Sequence, residues 1–269
     1  MVCLALPKVF GHRLHLKSGI IAKASQKSIK VLIYCLVRTT PENAELIKYA
    51  NNAFLAMKVS FANLIARLCM KIPGTDVDTI MKGIGFDKRI GPDFLNAGIA
   101  WGGSCFPKDL NAFVNFAREK GVSLDLIEAT LKINKKGPMD VVETLEDEIG
   151  NLNGKKVGVL GVSFKPNTDD TRESPSIYLI KELISKGAKV IACDPKAISN
   201  EINVSRKTQE CLENVDAVIL ATEWEEYKKL NAKDFKKYGV KLVIDTRRVY
   251  DKKEFEVQGI KLIQLGRGI

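Results

Sequence analysis

The chain has 269 residues, 45% of them hydrophobic, enough to bury one or two sizeable cores. Its formal charge is +10, but residues 1–41 hold seven Lys/Arg and no Asp or Glu, so the remainder is nearly balanced. No RNA-binding or helix-turn-helix signature accompanies that basic leader, and no apolar run approaches the roughly 18 residues of a membrane span, which argues against nucleic-acid and membrane roles. Two histidines, His12 and His15, and six cysteines at 3, 35, 69, 105, 193 and 211 show no CxxC or metal-ligand spacing. No metal site is expected, and scattered cysteines of this kind suggest a reducing, cytoplasmic setting.

In chain order, residues 1–41 are weakly periodic, with one strand expected over 29–37 and ended by Thr40-Pro41. This leader fits an arm for an anionic surface, a transit-like peptide, or sequence foreign to the fold. From Pro41 to about Lys71 the pattern predicts one long helix, with Thr40 as N-cap and Pro41 at its first position. Apolar residues at 46, 50, 53, 57, 61, 64 and 68 follow helical spacing, and 47, 54 and 65 add a second stripe. A helix apolar on two sides is buried between neighbours or between subunits. Lys48 and Asn52, four apart, share one face of it and need a polar partner unless they lie on the surface. Further helices are expected at about 74–83, 91–97, 107–120 and 122–149, with glycines as punctuation.

From Gly154 the pattern alternates. Lys155–Gly161, Lys189–Cys193, Ala217–Ala221, Lys241–Asp245 and Lys261–Gln264 are short β-rich runs, with helical stretches such as 175–186 and 207–214 between them. Such alternation implies a parallel sheet covered by helices. The expected organisation is an atypical leader (1–41), a helical central domain (42–150) and a Rossmann-like α/β domain (151–269).

The most informative segment is Gly102-Gly103-Ser104-Cys105-Phe106-Pro107-Lys108-Asp109. Two glycines allow a sharp turn and the close approach of a ligand. Pro107 suits a first helical position, and Gly121 stops the helix. Cys105 then sits at the positive end of a helix dipole beside Lys108, a setting that favours a nucleophilic thiolate. Taken alone, a loop cysteine also fits an inert small residue.

Three blocks together resemble the UDP-glucose/GDP-mannose dehydrogenase family: 44–54, the Gly102–Asp109 loop, and Gly161-Val162-Ser163-Phe164-Lys165 running on to Thr168–Ser174. The resemblance leaves residues 1–41 aside. It implies an NAD-dependent, four-electron oxidation of a sugar's primary alcohol to a carboxylate. Cys105 would capture the intermediate aldehyde as a thiohemiacetal and then carry a thioester. Lys48 and Asn52 would face the reacting carbon through a bound water, and Asp109 would assist proton transfer. Substrate contacts would come from Lys48, Asn52, Arg89 (reaching into a neighbouring subunit), Phe94, Asn96, Gly102, Phe164, Lys165 and Arg247. The cofactor side would involve Cys105, Lys108 and Arg172. For Arg89, Arg172 and Arg247 an ordinary surface ion pair is the competing reading. Ser104 before the thiol and Phe106-Pro107-Lys108 after it resemble the members that act on UDP-glucose. The resemblance also implies a homodimer through the long helix and a UDP-binding C-terminal domain.

A dinucleotide fold opens with strand, GxGxxG and helix. No GxGxxG occurs, and Gly158-Val159-Leu160-Gly161 is a partial echo. The chain is therefore expected to lack the family's NAD-binding domain. It would be inactive alone, or complemented by a separate NAD-domain chain. The alternative is a non-catalytic remnant or a UDP-sugar-binding, assembly subunit.

Overall fold

Thr40 lies in the extended region and its hydroxyl accepts from the Asn43 N–H, so the long helix α1 begins at Pro41 and runs 29 residues, Pro41–Cys69. A computed structural model describes residues 39–268. The strand expected over 29–37 and both histidines fall outside the described residues. Helix α2, Val77–Gly85, starts later than its periodicity suggests because the Asp76 carboxylate caps it through the Asp78 N–H. Helices α3, Phe106–Glu119, and α4, Asp125–Ile149, complete the helical unit. No helix forms over 91–97: Gly91 and Phe94 both adopt positive φ (68° and 62°), and Pro92 stands between them. Apolar residues there nevertheless bury, Leu95 and Ala97 packing with Ala62, Ala66, Val77 and Met81.

Helix α1 contacts α2, α3 and α4 through small residues. Ala44, Ala53, Ala56, Ser60, Ala62, Asn63, Ala66 and Cys69 are its buried positions, while Leu46, Phe54, Phe61, Leu64 and Leu68 are exposed. Most of the first apolar stripe thus faces outward, Leu46, Phe61, Leu64 and Leu68 among it, whereas of the second only Phe54 is exposed and Ile65 packs against the core beside α2.

The α/β unit is a six-stranded, wholly parallel sheet. Its strands are β1 Lys156–Leu160, β2 Lys189–Cys193, β3 Val204–Ser205, β4 Ala217–Leu220, β5 Leu242–Asp245 and β6 Lys261–Gln264, in spatial order 3-2-1-4-5-6. This is the doubly wound Rossmann order, whose switch point lies between β1 and β4. β3, two residues pairing with β2, carries too little pattern to be legible. The expected helix over 207–214 is reduced to a 3-10 turn at Thr208–Cys211. There Cys211 turns onto the sheet and forms a disulfide with Cys193 at the end of β2, with Cα atoms 6.2 Å apart. Two of the six cysteines are thus paired rather than free thiols.

Alternation along each strand feeds two cores. On one face Val157, Val159, Ile219 and Ile244 meet Val141, Val142 and Leu145 of α4 and Ile177, Ile180 and Leu183 of α5, Pro175–Ser185. On the other, Leu160, Val218, Val243 and Leu262 meet Tyr227 of α6 (Glu225–Lys228), Phe235 of α7 (Ala232–Lys237) and Phe255 of α8 (Lys252–Val257). The C-terminal half of α4 therefore belongs to the sheet's core. Among the described residues, no helix is long and apolar enough to cross a membrane.

Candidate active site

Cys105 is the N-cap residue of α3 and is exposed. Its carbonyl accepts the first helical bond from the Asp109 N–H at 2.9 Å, which places Asp109 one turn in. Asp109 is 2% exposed and gathers the polar residues of two helices. Its Oδ2 accepts from Asn52 Nδ2 at 2.7 Å and lies 3.0 Å from Lys48 Nζ, while Lys108 Nζ is 3.5 Å from Oδ1. The polar partner that Lys48 and Asn52 require is thus Asp109, and the three form one cluster. Lys48 also lies over the Tyr49 ring at 4.6 Å. Burial, aided by the Asp109 charge, pushes the Tyr49 phenol upward, so Tyr49 stays protonated beside the cluster.

The loop before Cys105 is pressed between the two units. A side chain at Gly102 would bring a Cβ to 2.2 Å from the Glu173 carbonyl oxygen. Gly103, at φ +83°, donates its N–H to the Arg172 carbonyl at 3.1 Å and packs under the Phe164 ring. Only glycine meets both demands. Lys165 Nζ lies 5.4 Å from the Phe164 ring centre.

Phe164 and Lys165 follow β1, and Arg247 follows β5, so all three stand at the carboxyl edge of the sheet, where ligands of open α/β sheets bind. Asp245 shapes the second loop by accepting from the Arg247, Arg248 and Tyr250 N–H groups. Arg247 Nε donates to the Ala221 carbonyl at 3.0 Å and lies 3.0 Å from Glu223, with its guanidinium against Gly98. Arg172 is held bidentately by Asp170; that bond raises the Arg172 pKa, and the Cys105 charge adds a smaller contribution. The same bond holds the Asp170 carboxyl below the ordinary range.

Other residues lie further out. Phe94 reaches the group through its ring, 6.4 Å from Phe106. Asn96 is exposed. The Arg89 side chain is 89% exposed and bound to Asp87 two residues away, and no bond joins it to the thiol loop among the described residues.

Several structural residues escaped the sequence reading. Arg248, at φ +59° and with its side chain 4% exposed, donates to Ala97, Thr246 and Leu265 carbonyls and pairs with Asp78. It straps the α/β unit to the segment that leads into the thiol loop. Asn63 accepts from the Gly98 N–H, Ser60 accepts from the Trp101 indole, and Asn134 binds the Trp101 backbone. Arg248 reaches Ala97 and Asp78 across 151 and 170 residues, and the partners of Asn63, Ser60 and Asn134 lie 33 to 41 residues away, so no local pattern announces them.

An NAD site would need an acid at the end of β2 free for a ribose. Asp194 stands there, but Oδ2 accepts from the Val162 and Ser163 N–H groups, the Ser163 hydroxyl and the Trp224 indole, and Oδ1 accepts from the Lys196 and Ala197 N–H groups. The carboxylate is fully committed, and this sheet does not fit a dinucleotide. Of the two cations expected on the cofactor side, Arg172 is paired with Asp170 and Lys108 lies 3.5 Å from Asp109. No group of three His, Cys, Asp or Glu among the described residues could hold a metal ion.

A doubly wound sheet joined to a helical unit, with an exposed cysteine on the loop clamped at their junction, defines the class as a two-unit α/β protein of the doubly wound kind. Residues 42–136 match the central domain, and residues 158–252 the UDP-binding domain, of the UDP-glucose/GDP-mannose dehydrogenase family. The chain belongs to that family. It is 42% identical over 225 residues to the UDP-glucose 6-dehydrogenase AglM of Haloferax volcanii, covering 81% of this chain and 52% of that protein. It is 40% identical over 241 residues to a UDP-glucose 6-dehydrogenase of Rhizobium meliloti, covering 86% and 55%. Among solved structures, a UDP-glucose dehydrogenase from Pyrobaculum islandicum superposes with TM-score 0.75 at 35% identity, over 90% of this chain and 57% of that one. The chain spans about half the length of the curated relatives it matches.

Proposed function

We propose that these residues form the substrate-binding and thiol-bearing half of a UDP-glucose 6-dehydrogenase. The observation that carries the reading is the Lys48–Asn52–Asp109 cluster, assembled from α1 and α3 one turn from Cys105. Arg247 and Lys165 supply cations for the diphosphate at the carboxyl edge of the sheet, and Phe164 supplies an apolar wall. Ser104 and Phe106-Pro107-Lys108 favour glucose as the sugar.

Two oxidations at one carbon require that the aldehyde not escape, and covalent capture by a thiol meets that need. The Cys105 sulfur adds to the aldehyde carbon while the oxygen takes up a proton. After oxidation, water cleaves the resulting thioester and returns the thiol. Lys48 and Asn52, both held by Asp109, stabilise charge on the sugar oxygen, and Asp109 relays the protons. NAD would supply the hydride acceptor, with Arg172 and Lys108 at its edge. The exposed stripe of α1 is assigned to a homodimer, with Arg89 turned toward the second copy. A cytoplasmic setting belongs to this reading, and the Cys193–Cys211 pair is the observation that stands against it.

A second reading, a UDP-sugar-binding or assembly subunit without activity of its own, rests on the absence of GxGxxG from the 269 residues. Calorimetric titration with UDP-glucose and then NAD separates the outcomes. The proposal expects saturable UDP-glucose binding, weak or no NAD binding, and no turnover without an added nicotinamide-binding domain. Failure of UDP-glucose to bind would sink both readings. Binding without turnover once such a domain is supplied leaves the second.

A further inference from the structure

We propose that Asn134 is a positioning residue: its carboxamide holds both backbone polar groups of Trp101 and so sets where the Gly102–Cys105 loop presents its sulfur. The inference rests on the reading of Cys105 as a nucleophile. Asn134 Nδ2 donates to the Trp101 carbonyl at 2.9 Å, and Asn134 Oδ1 accepts from the Trp101 N–H at 2.8 Å. A carboxamide carries donor and acceptor side by side, so it pairs with a backbone residue as a neighbouring strand would. Among the described residues, the Trp101 backbone bonds to no other backbone group.

Helix α4 is opened at this point to receive the loop. Pro138 has no N–H, so the carbonyl of Asn134, four residues earlier, loses its helical donor. At Gly137 a Cβ would stand 1.9 Å from the Ile99 carbonyl oxygen, so the segment 99–101 lies directly on the helix. From α1, Arg67 donates to the Ile133 carbonyl at 2.9 Å and steadies the opened turn. The Trp101 side chain is fixed separately, its indole donating to Ser60 at 2.9 Å and its ring edge-on to Phe106. On the far side of the turn, Gly103 is bound to Arg172. Asn63 and Arg248 hold the earlier residues 97 and 98. Asn134 therefore fixes the last backbone position before the two glycines, and through them the thiol.

The test uses the full chain and a UDP-glucose analogue with a chloroacetamide at C6. The Cys105 sulfur displaces chloride to form a thioether, and the thiol proton passes to solvent. Saturation kinetics separate nucleotide affinity (KI) from the sulfur step (kinact). Asn134→Asp keeps the size and the acceptor for the Trp101 N–H, but it faces the Trp101 carbonyl with a second acceptor. Asn134→Ala removes both bonds. Both are expected to lower kinact about 100-fold, the loss that a displacement of about 1 Å can cause. KI is expected to stay within about threefold, with a folded melting profile for at least the isosteric variant. An unchanged kinact in a folded variant overturns the assignment, as does an effect confined to KI. If the unmodified chain shows no saturable labelling at Cys105, the nucleophile reading fails first, before any variant is made, and this inference falls with it.

Discussion

The helical and α/β units treat their apolar residues in opposite ways. In the α/β unit, Val157, Ile219, Ile244 and Leu183 on one face, and Leu160, Tyr227, Phe235 and Phe255 on the other, are almost wholly buried. In the helical unit the inner face of α1 is alanine, serine and asparagine, while Phe54 is 57% exposed and Leu68 55%. The sheet unit covers both faces of its strands with large apolar side chains, its own and those of α4. The helical unit brings backbones close together inside, where the thiol loop must fit, and leaves its largest side chains for another surface.

The largest expected effect breaks the strap between the units. Arg248→Ala removes a buried guanidinium from three carbonyls and Asp78, and a loss of about 4 kcal/mol is expected by chemical denaturation. Leu145→Ala, on the part of α4 that serves the sheet, is expected to cost about 3 kcal/mol through cavity formation. Phe54→Ser with Phe61→Ser tests the other half of the contrast. Stability of the single chain is expected to change by less than about 0.5 kcal/mol per site, while sedimentation shifts to a smaller species. A large loss of stability without a change in mass would mean that the stripe is covered within the chain.

The smallest effect is in pH. The Tyr178 phenol is pushed up to about 12 by its bond to Glu173, from an ordinary 10.0. The folded chain keeps that proton longer, so this contribution to stability is complete below about pH 10 and declines as pH rises toward 12. Ultraviolet titration should show one tyrosine moving downward in Glu173→Gln. No movement would remove the assigned cause.

Much of this contrast was legible beforehand. The periodicity of α1, the Pro107 start and Gly121 stop of α3, and five of the six strands follow from residue order, because each depends on neighbours within a few positions. The failures have particular causes. Residues 91–97 have helical composition, but Gly91 and Phe94 take positive φ, and burial against α1 and α2 prevails over propensity. At 207–214 the drive to place Cys211 on the sheet shortens the helix to one turn. At the site, Cys105 and Asp109 announce themselves through a local loop. The residues that hold the loop do not, because an asparagine bonding a backbone 33 residues away resembles any other helical asparagine.

Helix α4 has a consequence of a different kind. Its first half gives Asn134 to the thiol loop, and its second gives Val141, Val142 and Leu145 to the sheet. A single rod shared by both hydrophobic centres leaves no economical line along which the chain can come apart. Melting either centre strips the other of a wall, so heating should produce one calorimetric transition whose van't Hoff and measured enthalpies agree. The carboxyl edge of the sheet and the thiol loop would then be lost at the same temperature, which makes the structure a single thermodynamic switch rather than two modules joined by a seam.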